Sequence, residues 1–147
     1  MAYITEAQYK ELFSKEQYET YIQRSMSTTA ATARFEMLSA IADDKINSII
    51  NMRYDTEELQ DETPEILTYY AGCLINYYST HLLGNVKDAD TKLYEDTVSG
   101  LKDFRNSRAE IMDSDNEITD EYYSKRVYSA GGNTKSNKDV EHINKYF

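Results

Sequence analysis

The side chains best suited to chemistry in this chain are two histidines and a single cysteine. His81 and His142 lie far apart, and neither belongs to a Glu-x-x-His or His-Glu-x-x-His spacing that would place metal ligands on one helix face. We expect His81 near the end of a helix, where a charged imidazole is favourable. Cys73 lies among apolar residues with no base close in sequence, which predicts an inert, buried thiol.

Carboxylates are abundant, with 26 Asp and Glu, so that adjacent acids such as Asp43 and Asp44 occur by chance. Asp113, Asp115 and Glu117 resemble the start of a calcium loop, but the glycine of its sharp turn and its terminal glutamate are missing. The sequence also lacks a glycine-rich phosphate loop, and it contains no Ser-His-Asp order worth proposing as a catalytic triad. It therefore predicts no catalytic site, no metal and no cofactor, and a protein that is not an enzyme.

Length and composition indicate the scaffold that must position these residues. The 147 residues are the size of one domain, with only one proline and five glycines, and Pro64 and Gly84 fall at predicted ends of elements. This distribution favours long helices over many short strands. We predict an all-α fold, a small bundle of about four to five helices with an extended C-terminal arm.

The formal net charge of −10 predicts a surface that repels phosphate, which disfavours general binding to nucleic acids or to anionic membranes. No apolar run approaches the roughly 18 residues that span a bilayer, and the first ten residues do not resemble a secretory signal. We expect a cytoplasmic or virion-internal protein. Its acidity suits either a basic partner or the lining of a passage that DNA crosses without sticking.

Two capping boxes mark the first helices. Thr5 with Gln8 and Ser14 with Gln17 predict short helices at about 6–13 and 15–24. A Ser/Thr link follows, in which Thr28 or Thr29 could cap the next helix.

The next helix is predicted at 30–52, with one buried face and Asp43 on its outer side. Its apolar positions recur at steps of three and four, which is typical of an amphipathic helix. They are Phe35, Leu38, Ala42, Ile46 and Ile49, widened by Ile41 and Ile50.

The acidic stretch 55–62 is predicted as a loop with at most one helical turn. Thr63 is then the expected N-cap and Pro64 the first residue of a helix that runs to Leu83 and ends at Gly84. This helix is apolar on nearly every side, which indicates a central helix or one covered by a neighbouring subunit.

A last helix is predicted from Asp88 or Asp90 to about Met112. Gly100 in its interior could mark close packing against another helix. The expected buried side comprises Leu93, Val98, Leu101, Phe104 and Ile111.

The chain therefore divides into a helical domain, residues 1–112, and an arm, residues 113–147. The arm has too few large apolar groups for a core of its own. Two readings remain open: an arm that orders on a partner, or a disordered terminus. In the first, the anchors would be Tyr122, Tyr123, Tyr128, Tyr146 and Phe147.

The Arg53-Tyr54 pair ends the 30–52 helix and has two possible roles. Arg53 could hold the last carbonyls of its own helix. Alternatively, it could reach an acidic neighbour, such as the 55–62 stretch of another subunit, and both residues would then belong to a partner interface.

This order of parts resembles phage head–tail connector proteins, also called adaptor or head-completion proteins, of Mu-like and other long-tailed phages. The resemblance covers roughly residues 1–112. It departs from the family pattern at 55–58, where an acidic run replaces an apolar Leu-Pro element. The matching positions are Asp43, Ile46, Ile50, Arg53, Tyr54, Pro64, Leu67, Tyr70, Ala71, Leu74, Tyr77, Tyr94 and Leu101.

The resemblance implies a helical bundle that assembles with itself into a ring, typically of twelve copies, beneath the portal protein. Such a ring extends the DNA channel and presents a docking surface to stopper or tail proteins, without reading DNA sequence and without a membrane. It would lie at the head–tail interface of the virion, and in the host cytoplasm during assembly. The alternative is an acidic helical inhibitor, a DNA mimic that binds a basic nucleic-acid enzyme.

Overall fold

The computed structural model describes residues 2–124, and the fold they form is all-α, as predicted. Within this range the chain forms six α-helices, a π-helical turn at Glu19–Gln23 and a 3-10 turn at Asp120–Tyr122. The α-helices are α1 (Glu6–Phe13), α2 (Lys15–Tyr18), α3 (Thr28–Ile50), α4 (Thr56–Asp61), α5 (Glu65–Leu82) and α6 (Asp88–Arg105).

Both predicted N-caps at the start of the chain are confirmed, but only the first of the two predicted capping boxes is complete, since the Ser14 N–H donates to the Lys10 carbonyl. The Thr5 side chain accepts from the Gln8 N–H while the Gln8 side chain accepts from the Thr5 N–H, which is a complete capping box. Ser14 accepts from the Gln17 N–H and starts α2. The helix predicted at 15–24 is divided, because α2 gives way to the π-helical turn before Arg24 adopts a left-handed conformation.

Helix α3 buries the face that its spacing predicts, but it begins slightly earlier. Its N-cap is Ser27, whose side chain accepts from the Ala30 N–H, so neither Thr28 nor Thr29 is the cap. Ile41 is exposed, and its assignment to the buried face was wrong. The confirmed buried positions are Phe35, Leu38, Ala42, Ile46, Ile49 and Ile50.

Asp43 is buried, and its predicted place on the outer side of α3 was wrong. Its Oδ1 accepts a hydrogen bond of 3.1 Å from the backbone N–H of Tyr3, and the Tyr3 hydroxyl donates to Asn47 at 2.6 Å. The segment before α1 therefore covers this part of α3. Desolvation by that cover raises the pKa of Asp43 to about 6.

The acidic stretch before α5 forms a short helix of its own. Asp55 caps α4 by accepting from the N–H groups of Glu57 and Glu58. Pro64 then occupies the N-cap position of α5, so Thr63 is not the cap and the predicted register was off by one residue.

Helix α5 is the central helix, in contact with α1, α3, α6 and the π-helical turn. Its predicted end is confirmed, since Gly84 adopts a left-handed φ of 67° directly after the C-cap Leu83. Gly72 lies against the ring of Phe13, where a Cβ atom would clash. The absence of a side chain there lets α1 approach α5 closely.

Helix α6 ends at Arg105, and the prediction that it continues to about Met112 was wrong. Ser107 adopts a positive φ, which turns the chain away from the helix axis. Ile111 is nevertheless buried, so helical spacing continued by coincidence beyond the helix. Leu93 is exposed rather than buried, whereas Gly100 is confirmed as a close contact with Tyr70.

Residues 113–124, assigned by sequence to the arm, lie against the helical body. Met112 and Ile118 form an antiparallel bridge around a turn, and a second bridge joins Tyr54 to Tyr123. Two backbone hydrogen bonds of 2.8 Å fasten the stretch, from Asp55 N–H to the Tyr122 carbonyl and from Ser124 N–H to the Arg53 carbonyl. The packed body therefore extends at least to Ser124.

Candidate functional site

Four of the predicted interface residues come together at one place, where three separated parts of the chain meet. Arg53 and Tyr54 follow the end of α3, Glu110 follows α6, and Tyr122 and Tyr123 close the described chain. We call this cluster of five residues the junction.

The guanidinium of Arg53 binds the C-terminal end of α6 and the residues that follow it. Its Nη2 lies 2.5 Å from Glu110 Oε1, and its Nη1 donates to the carbonyls of Phe104, at 2.5 Å, and Ala109, at 3.2 Å. The Phe104 carbonyl is in the last turn of α6, where a cation is favoured by the helix dipole. Arg53 therefore caps α6, and not its own helix α3. The acidic residue that it reaches is Glu110 of the same chain.

Two stacked tyrosine rings lie beside the guanidinium. The rings of Tyr54 and Tyr123 stack with centroids 5.2 Å apart, and Arg53 Cζ lies 5.1 Å and 5.4 Å from their respective centroids. Both hydroxyls donate to Glu110 Oε2, that of Tyr54 at 3.4 Å. The Tyr54 hydroxyl also accepts from the Ile111 N–H at 3.3 Å. The Glu110 carboxylate thus accepts three side-chain hydrogen bonds.

The protonation states follow from these contacts. The hydrogen bond from Tyr123, reinforced by Arg53, lowers the pKa of Glu110. Burial raises the pKa of both Tyr54 and Tyr123. The carboxylate is therefore ionised and both hydroxyls are protonated at neutral pH, so the cluster holds neither a general acid nor a general base poised for proton transfer. Its hydrogen bonds and ion pair instead hold α3, the end of α6 and the end of the described chain together.

Tyr122 fastens the junction to α4. Its side chain is buried, and its hydroxyl donates to the Glu62 carbonyl at 3.3 Å. Tyr54 is also buried, and Arg53 is largely covered. These three side chains contact their own chain here, and their contact with a partner stays a prediction. The remaining predicted anchors, Tyr128, Tyr146 and Phe147, lie outside the described residues.

Sequence reasoning missed Glu110, although it is the residue on which the junction converges. It is separated from Arg53 by 57 positions and belongs to no local motif. The acid-rich composition supplied many candidate partners for an arginine and no means of choosing among them.

The other described residues that were singled out for chemistry occupy ordinary structural positions, whereas His142 lies outside the described residues. Cys73 is buried as predicted, and burial raises the pKa of its thiol. His81 lies in the last turn of α5 against the ring of Tyr77, with centroids 5.3 Å apart. The Asp113 side chain accepts from the backbone N–H groups of Asp115 and Glu117, which closes a turn.

Within residues 2–124, no group of three or more His, Cys, Asp or Glu side chains is placed to hold a metal ion. The helices of the same range are also too short or too polar for any of them to cross a membrane.

No protein-family model, curated protein or solved structure matches this chain. The all-α class therefore stands on the structure itself, and the kinship with phage connectors stays a prediction from the sequence pattern.

Proposed function

We propose that this chain is a structural protein of a phage virion, a head–tail connector that assembles into a ring beneath the portal and extends the DNA channel. The observation that carries the proposal is the sequence pattern from Asp43 to Leu101, which resembles that family. The junction supports it indirectly, because the Arg53-Tyr54 signature belongs to a cluster that is built for fastening rather than for proton transfer.

The charge of the body suits a channel lining. Of the chain's net charge of −10, the 125–147 segment carries five Lys and Arg against two Asp and Glu, or +3, which leaves −13 on residues 1–124. A surface of this sign repels the phosphates of passing DNA and prevents sticking.

Mixing the full-length protein with a purified portal protein from the same genome tests the proposal. We expect a complex that electron microscopy shows as rings. Tyr146→Ala with Phe147→Ala should weaken the complex, since these two predicted anchors belong to the arm. Asn144→Ala, a substitution in the same segment, is the matched control.

The result that would overturn the proposal is a wild-type protein that binds the portal in neither its free nor its assembled form. If both the wild type and the double variant bind equally well, the ring proposal survives and the anchor assignment fails.

A second candidate, an inhibitor that mimics DNA, is favoured only by the charge of residues 1–124. It predicts tight, salt-sensitive binding to a basic nucleic-acid enzyme and no ring on the portal. Loss of DNA binding by such an enzyme when the protein is added would favour this candidate.

A further inference from the structure

An exposed apolar surface runs across α1, α5 and the 112–118 turn, and we call it the stripe. Five of its members are between 37% and 54% exposed, which is unusual for such large apolar side chains on one contiguous surface. Its members are Leu12, Phe13, Ile66, Tyr69, Met112 and Ile118.

Ring stacking, a shared cavity and a backbone bridge connect the members of the stripe. The rings of Phe13 and Tyr69 stack with centroids 5.7 Å apart, which joins α1 to α5. A surface cavity of about 410 Å³ is lined by both Ile66 and Met112, which joins α5 to the turn. Ile118 is bridged to Met112.

The rim of the stripe is acidic. Glu65 lines both the cavity beside Met112 and a second cavity, of about 270 Å³, beside Leu12. Glu11 lines the second cavity, whereas Asp113 and Glu110 line the first, and no lysine or arginine lines either. An occupant of the stripe should therefore combine apolar anchors with basic side chains.

The 125–147 segment has this composition. It carries the +3 charge described above against the −13 of the body, and its lysines include Lys135, Lys138 and Lys145. Its apolar residues include Val140, Ile143, Tyr146 and Phe147.

The 125–147 segment also begins next to the stripe. Ser124 is hydrogen-bonded to the Arg53 carbonyl at the junction, and Glu110 of the junction lines the cavity beside Met112. Twenty-three residues can extend about 75 Å, whereas α5 is only about 27 Å long. Attachment beside the surface gives an effective concentration in the millimolar range, which favours binding within one chain over binding between chains.

We propose that, in the free protein, the 125–147 segment lies on the stripe of its own chain, with its lysines against the Glu11, Glu65 and Asp113 rim. The inference does not depend on the connector proposal, because it concerns the protein without a portal.

A spin label tests this placement in the full-length protein. A nitroxide at Asn144→Cys, in isotope-labelled chain, should broaden the backbone amide resonances of Leu12, Ile66 and Met112. The amides of Met37 and Ile41, an exposed apolar pair on α3, serve as the comparison surface and should stay sharp. Wild-type protein treated in the same way controls for labelling of the buried Cys73.

Charge variants identify the contribution of the lysines. Replacing Lys135, Lys138 and Lys145 by Glu should reduce the broadening roughly twofold or more, and high salt should act in the same direction. Replacing the same three residues by Arg keeps the charge and should preserve the broadening.

Three outcomes would overturn the proposal. The first is equal broadening of the stripe and of the α3 pair. The second is broadening that survives the Glu substitutions unchanged. The third is broadening that arises only when spin-labelled chain is mixed with separate isotope-labelled chain, because the segment would then bind a second copy.

Discussion

The junction and the stripe adjoin one another, share the neighbourhood of Glu110, and differ in almost every other respect. At the junction an arginine, a carboxylate and two tyrosines fill one another's hydrogen-bonding capacity within the chain. On the stripe, residues 2–124 leave large apolar groups partly uncovered. The residues most conspicuous in the sequence thus hold the fold together, whereas the surface suited to an occupant carries no sequence motif.

The largest expected effect concerns the buried ring at the junction. Tyr54→Ala should lower the free energy of unfolding by about 3–5 kcal/mol, because it leaves a cavity and removes the ring that stacks on Tyr123. Urea denaturation of the full-length protein measures it.

Tyr54→Phe is the control for that experiment. It keeps the ring but removes the acceptor of the Ile111 N–H, which should cost about 1 kcal/mol. Equal losses in the two variants would show that the ring packs less tightly than the structure indicates.

A second effect contrasts the two covered carboxylates. Burial raises the pKa of Asp43 to about 6, so its cost to stability appears as the pH rises from about 4 through 6. Asp43→Asn should therefore gain stability relative to wild type over this range, by about 1–3 kcal/mol at pH 8. Urea denaturation at several pH values measures the gain.

The contribution of Glu110 to stability should depend on pH in the opposite direction. Its lowered pKa stabilises the fold above the unfolded value, and this contribution is lost as the pH falls through the folded value. The loss of stability caused by Glu110→Gln should therefore become smaller at acid pH.

The matched control for Asp43→Asn is Asp44→Asn, at an exposed neighbouring residue. A gain in stability from Asp44→Asn equal to that from Asp43→Asn would refute the explanation by burial.

The smallest effect is expected on the stripe. Ile66→Ala should change the free energy of unfolding by no more than about 0.5 kcal/mol, because the side chain is exposed. Leu67→Ala, one position along and fully buried, should cost about 2–5 kcal/mol. If calorimetry gives similar losses for both, Ile66 belongs to the core and the stripe is not a docking surface.

The parts of the fold that sequence predicted are those set by local chemistry. The Thr5 and Ser14 caps and the Gly84 stop each depend on a few neighbouring residues. The close packing at Gly100 was also predicted, although its partner, Tyr70, lies on another helix. The end of α6 was missed because Ile111 continued the helical spacing beyond a turn at Ser107.

The parts that sequence could not predict depend on distant residues. Asp43 is buried only because the Tyr3 segment folds over it, 40 positions away. The choice of Glu110 for Arg53 is likewise a product of the tertiary fold. The stripe was not predicted either. An apolar residue on a helix face is assigned to the core by its spacing, and only the tertiary fold shows which apolar faces are covered.

A double-mutant cycle between Arg53 and Glu110 tests the central claim that the junction fastens the chain to itself. Arg53→Met, Glu110→Gln and the double variant are compared with wild type by urea denaturation of the full-length protein. We predict a coupling energy of about 1 kcal/mol or more, since the two groups share a charged hydrogen bond of 2.5 Å. A coupling energy indistinguishable from zero would contradict the account and return Arg53 to the residues available for a partner.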